Sequence, residues 1–146
     1  MARIELASDG LVDSLTQALA PARFLEILRT ELSMAAREGR KITLISARLR
    51  EIPSSDENAV DHAELILYRF AQDLQKKLRA GDHCGRISEM GFWIMVRGDE
   101  EAARKAAPRL INREDEELWR IEFCESEVGE SIKNLLRRMD AIHFTK

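Results

Sequence analysis

The segment with the clearest potential for chemistry is a short polar turn that precedes an apolar run near the middle of the chain. Ser88, Glu89, Met90 and Gly91 form this turn, and the apolar run covers residues 92–96. A tight turn beside an apolar run is typical of a β-hairpin, and functional residues are often found at hairpin tips. This tip holds a single carboxylate. The pattern therefore leaves two interpretations open, an active-site turn or a turn that has lost that role.

The composition predicts one globular domain with no obvious polyanionic partner. The chain has 146 residues, of which 45% are hydrophobic and 34% charged, enough to bury one core. A formal net charge of −3 gives no reason to expect nucleic acid as a partner. No apolar run approaches the roughly 20 residues of a membrane span, and the first ten residues lack the apolar segment of a secretory signal. We therefore expect a cytoplasmic protein.

The cysteines and histidines show no pattern of metal ligands. Cys84 and Cys124 are far apart and form no C-x-x-C pair, so we expect two reduced, buried thiols. The three histidines, at positions 62, 83 and 143, have no ligand spacing with these cysteines. The sequence therefore predicts neither a metal site nor a cofactor.

The periodicity of apolar residues predicts four helices and four strands. Helical spacing occurs in "APARFLEILRTELSMAAREGR", "AVDHAELILYRFAQDLQKKLRAG", "DEEAARKAAPRLIN" and "GESIKNLLRRMDAIHF". The strand-like stretches are "KITLISARL", residues 84–87, residues 92–96 and "LWRIEF". After the first helix the order is β-α-β-β-α-β-α. This order predicts an α+β fold with a βαββαβ core, in which an antiparallel sheet carries helices on one face, plus an N-terminal and a C-terminal helix.

Three motifs, in this order, resemble those of the GGDEF domain, the bacterial module that makes cyclic di-GMP from two GTP molecules. "DSLTQALAPARF" resembles the family's opening D-x-L-T-G-L-x-N-R-x-x-F, and "LRAGDHCGRISEMGF" resembles its central L-R-x-x-D-x-x-x-R-x-G-G-D-E-F. "LLRRMDAIHFTK" resembles the closing L-L-x-x-A-D-x-A-L-Y-x-A-K. The resemblance covers residues 13–146 and implies a nucleotide-cyclase-like fold. We therefore predict a single degenerate GGDEF-like domain over residues 1–146, with residues 1–12 as a lead-in.

The resemblance implies that the signature of the family is altered. Where the family has G-G-D/E-E-F, this chain has Ser88, Glu89, Met90, Gly91 and Phe92. The two acidic positions, which serve the metal and the catalytic site in the family, therefore hold a thioether and a glycine. Glu89 stands one place early, and adjacent strand residues point to opposite faces, so the offset does not simply restore the carboxylate.

The metal and guanine positions of the family are altered as well. The family's first strand ends in D-x-D-x-F-K, and Arg48 and Arg50 stand at the two aspartates. Magnesium needs hard oxygen ligands, and a like-charge contact near a protein surface costs on the order of 4 kcal/mol at about 4 Å. At the guanine-reading positions Ala63 and Glu64 match a Gly-Asp pair. We therefore expect that the chain is not an enzyme; Arg48 and Arg50 are solvated charges or attract phosphates without metal.

The resemblance implies that a second ligand site is retained. Arg79 and Asp82 match the family's inhibitory-site motif R-x-x-D, which binds cyclic di-GMP in active cyclases. An arginine of the next helix usually assists; Arg109 is the best match, Arg104 is the reserve, and Arg86 is expected near the same surface. Arginine offers a planar fork to guanine or phosphate, and aspartate accepts from guanine N–H groups. The alternative is that Arg79 only favours the helix dipole and Asp82 only shapes the turn.

Two functions are therefore predicted from the sequence. The first is a catalytically inactive signalling domain that binds cyclic di-GMP through Arg79, Asp82 and Arg109 and transmits this binding to a protein partner. The second is a nucleotide-independent module for protein interaction or dimerisation in bacterial signalling. The fold alone does not choose between them.

Overall fold

The computed structural model describes residues 8–50, 59–112 and 116–143. Residues 1–7 of the predicted lead-in and residues 144–146 of the closing motif lie outside this description. The described residues form four helices and four strands in the predicted order, which confirms the α+β fold class. The elements are α1 (Pro21–Glu38), β1 (Ile42–Leu49), α2 (Ala59–Lys77), β2 (His83–Ser88), β3 (Gly91–Arg97), α3 (Glu100–Leu110), β4 (Trp119–Glu125) and α4 (Ile132–His143).

Local chemistry explains where the helices begin and end. Pro21 opens α1, where its fixed φ angle suits the first turn, and Gly39 ends α1 in the left-handed region at φ 67°. The side chain of Asp99 accepts a hydrogen bond from the backbone N–H of Ala102 and so caps the start of α3. None of these described helices is both long and apolar enough to span a membrane.

The four strands form one antiparallel sheet in the order β2-β3-β1-β4. In the registers of the ladders, Ile45 of β1 lies opposite Ile94 of β3 on one side and opposite Phe123 of β4 on the other. The central position of β1 explains its burial, because a strand with neighbours on both sides and helices on both faces is shielded from solvent along nearly its whole length.

Helices cover both faces of the sheet. On one face, α2 and α3 enclose a core that contains Phe70, Phe92 and Trp119, with the rings of Phe70 and Trp119 4.1 Å apart. This confirms the expectation that the helices of the two β-α-β halves share a face. On the opposite face, α1 and α4 enclose a second core around Phe24 and Trp93. The N-terminal and C-terminal helices therefore complete a three-layer arrangement.

The two edges of the sheet differ. The segment before α1, called the strap here (residues 8–20), runs beside β2 and forms a parallel bridge between Leu19 and Gly85. The N–H of Leu19 donates to the carbonyl of Cys84 at 3.0 Å, and the N–H of Arg86 donates to the carbonyl of Leu19 at 2.9 Å. At the other edge, β4 has no strand paired to its outer side within the described ranges.

Candidate functional site

The predicted hairpin at residues 88–91 is present. β2 and β3 pair up to Ser88 and Gly91, which lie opposite each other, so Glu89 and Met90 form the tip. Glu89 is exposed, whereas Met90 is half-buried and packs against the core beneath α2 and α3. The register of the ladder shifts between Arg86 and Ser88, an irregularity that re-aims the side chains near the tip.

The tip is held from inside by the buried side chain of Arg86. Its Nη2 donates to the backbone carbonyl of Glu89 at 2.8 Å, and its Nη1 lies 3.0 Å from both carboxylate oxygens of Asp13. Asp13 also accepts from the N–H of Thr16 at 2.9 Å and from its hydroxyl at 2.7 Å. The first and second motifs of the resemblance are thus joined by an ion pair that positions the signature turn.

The expectation that Arg86 lies near the ligand-binding surface is wrong. Arg86 and Asp13 are both 0% exposed. A buried arginine must be paired and hydrogen-bonded, because an uncompensated charge in the protein interior is strongly destabilising. Both residues stand out in the sequence, because Asp13 is a matched position of the opening motif and Arg86 of the central motif. Their distance along the chain, however, gives no indication that the two side chains form a pair.

The signature turn lies against the end of β1. The N–H of Leu49 donates to the carbonyl of Met90 at 2.8 Å, and Arg48 is opposite Gly91 in the ladder. Arg48 is half-buried, and Arg50, just past the strand, is exposed. The structure therefore places Arg48, at the end of β1, beside the turn of residues 88–91.

The R-x-x-D residues form a closed turn between α2 and β2. The N–H of Asp82 donates to the carbonyl of Arg79 at 2.9 Å, and Oδ2 of Asp82 accepts from the backbone N–H of Arg79 at 3.2 Å. Gly81 takes a φ of 92°, a conformation that suits glycine. The side chain of Arg79 takes no part in these bonds and is exposed. Asp82 thus shapes the turn, while the turn presents the Arg79 guanidinium to solvent.

Arg109 lies at the same end of α2. Its Nη1 donates to the backbone carbonyl of Lys77, the last residue of α2, and so satisfies a carbonyl at the helix end. Arg104, the reserve candidate, lies elsewhere: it pairs with Glu100 at 2.9 Å, and its Cζ lies 4.4 Å from the centre of the Phe123 ring on β4. The structure therefore places Arg109 at the last residue of α2, two residues before the R-x-x-D turn, whereas Arg104 lies beside β4.

Arg97 is a residue of this region that the sequence analysis missed. A Cβ placed on Gly81 would lie 2.8 Å from Cζ of Arg97, so the guanidinium packs directly on the turn. Nη2 of Arg97 donates to Oε1 of the buried Glu31 on α1 at 3.1 Å. The hydrogen bond to Glu31 raises the pKa of Arg97, and the charge of Asp82 adds to this effect. No local pattern could have shown the contact, because Glu31, Gly81 and Arg97 belong to three separate elements.

Among the residues that the structure describes, no three His, Cys, Asp or Glu side chains lie close enough together to hold a metal ion. Cys84 and Cys124 are both buried and not joined in a disulfide, in agreement with the prediction of buried thiols. Burial raises the pKa of the Cys84 thiol far above its usual value, so this side chain behaves as a small apolar residue of the core.

Comparisons with known proteins give different results for the sequence and for the structure of this chain. No family model and no curated protein matches the sequence. Solved structures do match it. One reports a novel interaction mode between a microbial GGDEF domain and cyclic di-GMP; it has a TM-score of 0.75 and 25% identity, over 92% of this chain and 88% of that chain.

Two further structures match over most of this chain. The GGDEF domain of DgcB from Caulobacter crescentus, in complex with cyclic di-GMP, has a TM-score of 0.73 and 14% identity, over 99% of this chain and 91% of that one. The diguanylate cyclase SiaD from Pseudomonas aeruginosa, in complex with its activator SiaC, has a TM-score of 0.77 and 21% identity, over 89% of this chain. The match spans 55% of the SiaD chain.

The chain therefore has the GGDEF-like fold, which confirms the resemblance that the three motifs indicated. The prediction that the chain is not an enzyme is contradicted, because the structures that match it are GGDEF domains and include that of a diguanylate cyclase, SiaD. The residues at the signature and metal positions, including Arg48, Arg50 and Met90, do not by themselves establish the catalytic status of the chain. That prediction gave them more weight than the comparisons support.

Proposed function

We propose that the chain is a GGDEF-like signalling domain that binds cyclic di-GMP at the C-terminal end of α2. Arg79, Asp82 and Arg109 would form the site. The single observation that carries the proposal is that Arg109 contacts the last residue of α2, so that α3 supplies an arginine beside the turn of Arg79 and Asp82. Two structures with the same fold concern GGDEF domains together with cyclic di-GMP.

The side chains suit this ligand chemically. Cyclic di-GMP offers guanine edges, which accept at O6 and N7 and donate at N1 and N2, and two phosphates. The exposed Arg79 guanidinium can donate two parallel hydrogen bonds to a guanine edge or to a phosphate. The Asp82 carboxylate can accept from guanine N–H groups. The guanidinium of Arg97, packed on Gly81, adds positive charge beside the turn.

Space for a base lies next to the turn. An open cavity of about 220 Å³ between the strap and α2 is bordered by Gln17, Gln75, Leu78, Asp82 and His83. Amide groups, a carboxylate and an imidazole can all hydrogen-bond to a nucleobase, and Leu78 offers an apolar contact. A base in this cavity would therefore contact Asp82 between the strap and α2. The Arg79 guanidinium would contact the ligand on the solvent-exposed side of the turn.

The best variant for a binding test is Arg79→Ala. The turn uses the backbone N–H of Arg79 and not its side chain, so this change removes the guanidinium and keeps the turn. Asp82→Ala would be ambiguous, because it removes both the proposed ligand contact and the bond that closes the turn. Arg69→Ala is a matched control, since Arg69 is another exposed arginine of α2 outside the proposed site.

The experiment is a calorimetric titration of folded protein with cyclic di-GMP. We expect saturable binding by the unmodified chain and by Arg69→Ala, and a loss of about 1–3 kcal/mol of binding free energy in Arg79→Ala. Folded protein that gives no heat at high micromolar nucleotide would refute the proposal, and so would equal affinity of all three proteins. Either result would favour the nucleotide-independent interaction module. We also propose that the protein is cytoplasmic and that a protein partner responds to the binding of cyclic di-GMP.

A further inference from the structure

The hydrogen bonds between β1 and β4 determine which backbone groups of β4 face outward. The N–H of Arg50 donates to the carbonyl of Leu118, and the N–H of Ser126 donates to the carbonyl of Ile42. In an antiparallel ladder, hydrogen-bonded and non-hydrogen-bonded pairs alternate, so the even-numbered residues of β4 direct their N–H and C=O groups to β1. The N–H and C=O groups of residues 119, 121 and 123 therefore point away from the sheet.

This outward row is a template for another strand. The corresponding edge at β2 is covered by the strap, whereas within the described ranges no strand pairs with the outer side of β4. An edge with regular unpaired backbone groups can accept a strand from a second chain, and charged side chains commonly prevent this. β4 carries three charged residues. Arg120 and Glu122 lie near its centre, two residues apart and on the same face of the sheet, whereas Glu125 ends the strand and is paired with Lys41.

We propose that a second copy of this chain pairs with β4 along this edge, antiparallel, about a twofold axis at Ile121. In this register Ile121 lies opposite its own copy, and Arg120 of each chain lies opposite Glu122 of the other. Residues 120 and 122 then form non-hydrogen-bonded pairs, in which the side chains approach most closely. The axis creates two such Arg–Glu pairs, because a twofold interface repeats every contact.

The charges select this register over its neighbours. When the twofold axis is perpendicular to the sheet, residues of the two copies that lie opposite each other have their side chains on the same face. The neighbouring registers are those in which the axis is shifted along β4 by one residue. An axis at Arg120 places the two copies of Arg120 opposite each other, and an axis at Glu122 places the two carboxylates opposite each other. Directly opposed like charges are destabilising, whereas opposed unlike charges are favourable.

The side chains along the edge are accessible for this contact. Arg120 and Glu122 form an ion pair within the strand at 3.2 Å, with 30% and 38% of their side chains exposed. In the paired state each carboxylate would lie near two guanidiniums. On the other face, Ile121 and Phe123 are half-buried beside an open cavity of about 360 Å³ between α3 and β4. The second copy would cover these two apolar side chains.

Sedimentation equilibrium of the full chain without nucleotide, over a range of protein concentrations, tests the proposal. We expect a reversible dimer for the unmodified chain. Arg120→Glu and Glu122→Arg should each be monomeric, because each creates like-charge pairs in the register. The double variant, Arg120→Glu with Glu122→Arg, should dimerise again, because exchanging the two residues restores both unlike pairs.

Ile121→Pro provides a second test that does not involve charge. The N–H of Ile121 points outward, so proline there removes no hydrogen bond to β1 but removes a central donor of the intermolecular ladder. We expect a folded monomer, with folding checked by circular dichroism. A monomeric unmodified chain would overturn the proposal. A dimer that persists in Ile121→Pro, or one that both single charge reversals leave intact, would place the interface elsewhere and overturn it equally.

Discussion

The two turns that flank β2 are built in opposite ways. The turn before β2, residues 79–82, is closed by its own backbone and by the carboxylate of Asp82, and it leaves the Arg79 guanidinium in solvent. The turn after β2, residues 88–91, is held from below by Arg86, whose charge is matched by Asp13 and removed from solvent. Each turn is associated with an arginine and an aspartate at motif positions: Arg79 and Asp82 belong to the central motif, whereas Arg86 belongs to the central motif and Asp13 to the opening one.

The difference shows how burial assigns roles to chemically identical residues. A buried guanidinium whose charge is paired and whose two terminal nitrogens are hydrogen-bonded can orient a backbone, but it has no free face for a ligand. An exposed guanidinium contributes little to stability and remains available for recognition. The exposed Arg79 is therefore why we propose the turn at 79–82 as the region for binding, whereas the Arg86–Asp13 pair supports the neighbouring turn.

The largest effect that this comparison predicts is the cost of Arg86→Ala. Removing one partner leaves the Asp13 carboxylate buried and uncompensated, which costs about 3–5 kcal/mol. Chemical denaturation would measure this loss in the free energy of unfolding. Arg23→Ala is the control, because the side chains of Arg23 and its partner Glu26 are 43% and 68% exposed and their ion pair should contribute at most about 1 kcal/mol. Equal losses in the two variants would contradict the assigned roles.

An intermediate effect is expected for Gly81→Ala. The φ of 92° at Gly81 disfavours any side chain by about 1–2 kcal/mol, and the new Cβ would push the Arg97 guanidinium away from the turn. Gly10→Ala separates the two causes, because Gly10 has a φ of 91° and no atom within 4 Å of the new Cβ. We expect similar losses of unfolding free energy in both variants and weaker nucleotide binding in Gly81→Ala alone.

The smallest effect on stability is expected for Arg79→Ala. The exposed side chain makes no bond that closes the turn, so the free energy of unfolding should change by less than about 0.5 kcal/mol. Thermal and chemical denaturation of the same preparations used for calorimetry would check this value. A large loss of stability would mean that Arg79 supports the fold, and the loss of binding could then not be assigned to a direct contact.

The sequence by itself determined the order of the elements and the place of the hairpin. Helical and strand periods are local properties: Phe24 and Leu28 share a face one turn apart on α1, and both are buried in the structure. The turn at residues 88–91 could be located for the same reason, since its polar residues interrupt two strand-like runs. The three motifs then sufficed to indicate the GGDEF-like fold, although no family model matches the chain.

Only the tertiary structure decided which charged residues are buried and which are available. Arg86 and Arg79 are both motif arginines, and nothing local distinguishes them; their exposure depends on Asp13 in the strap and on the end of α2. The contact of Arg97 with Gly81 and Glu31, and that of Arg109 with Lys77, likewise join elements that are distant along the chain. A periodic pattern reports on neighbours within a few residues, whereas the desolvation and pairing of a charge are set by whatever the folded chain brings beside it.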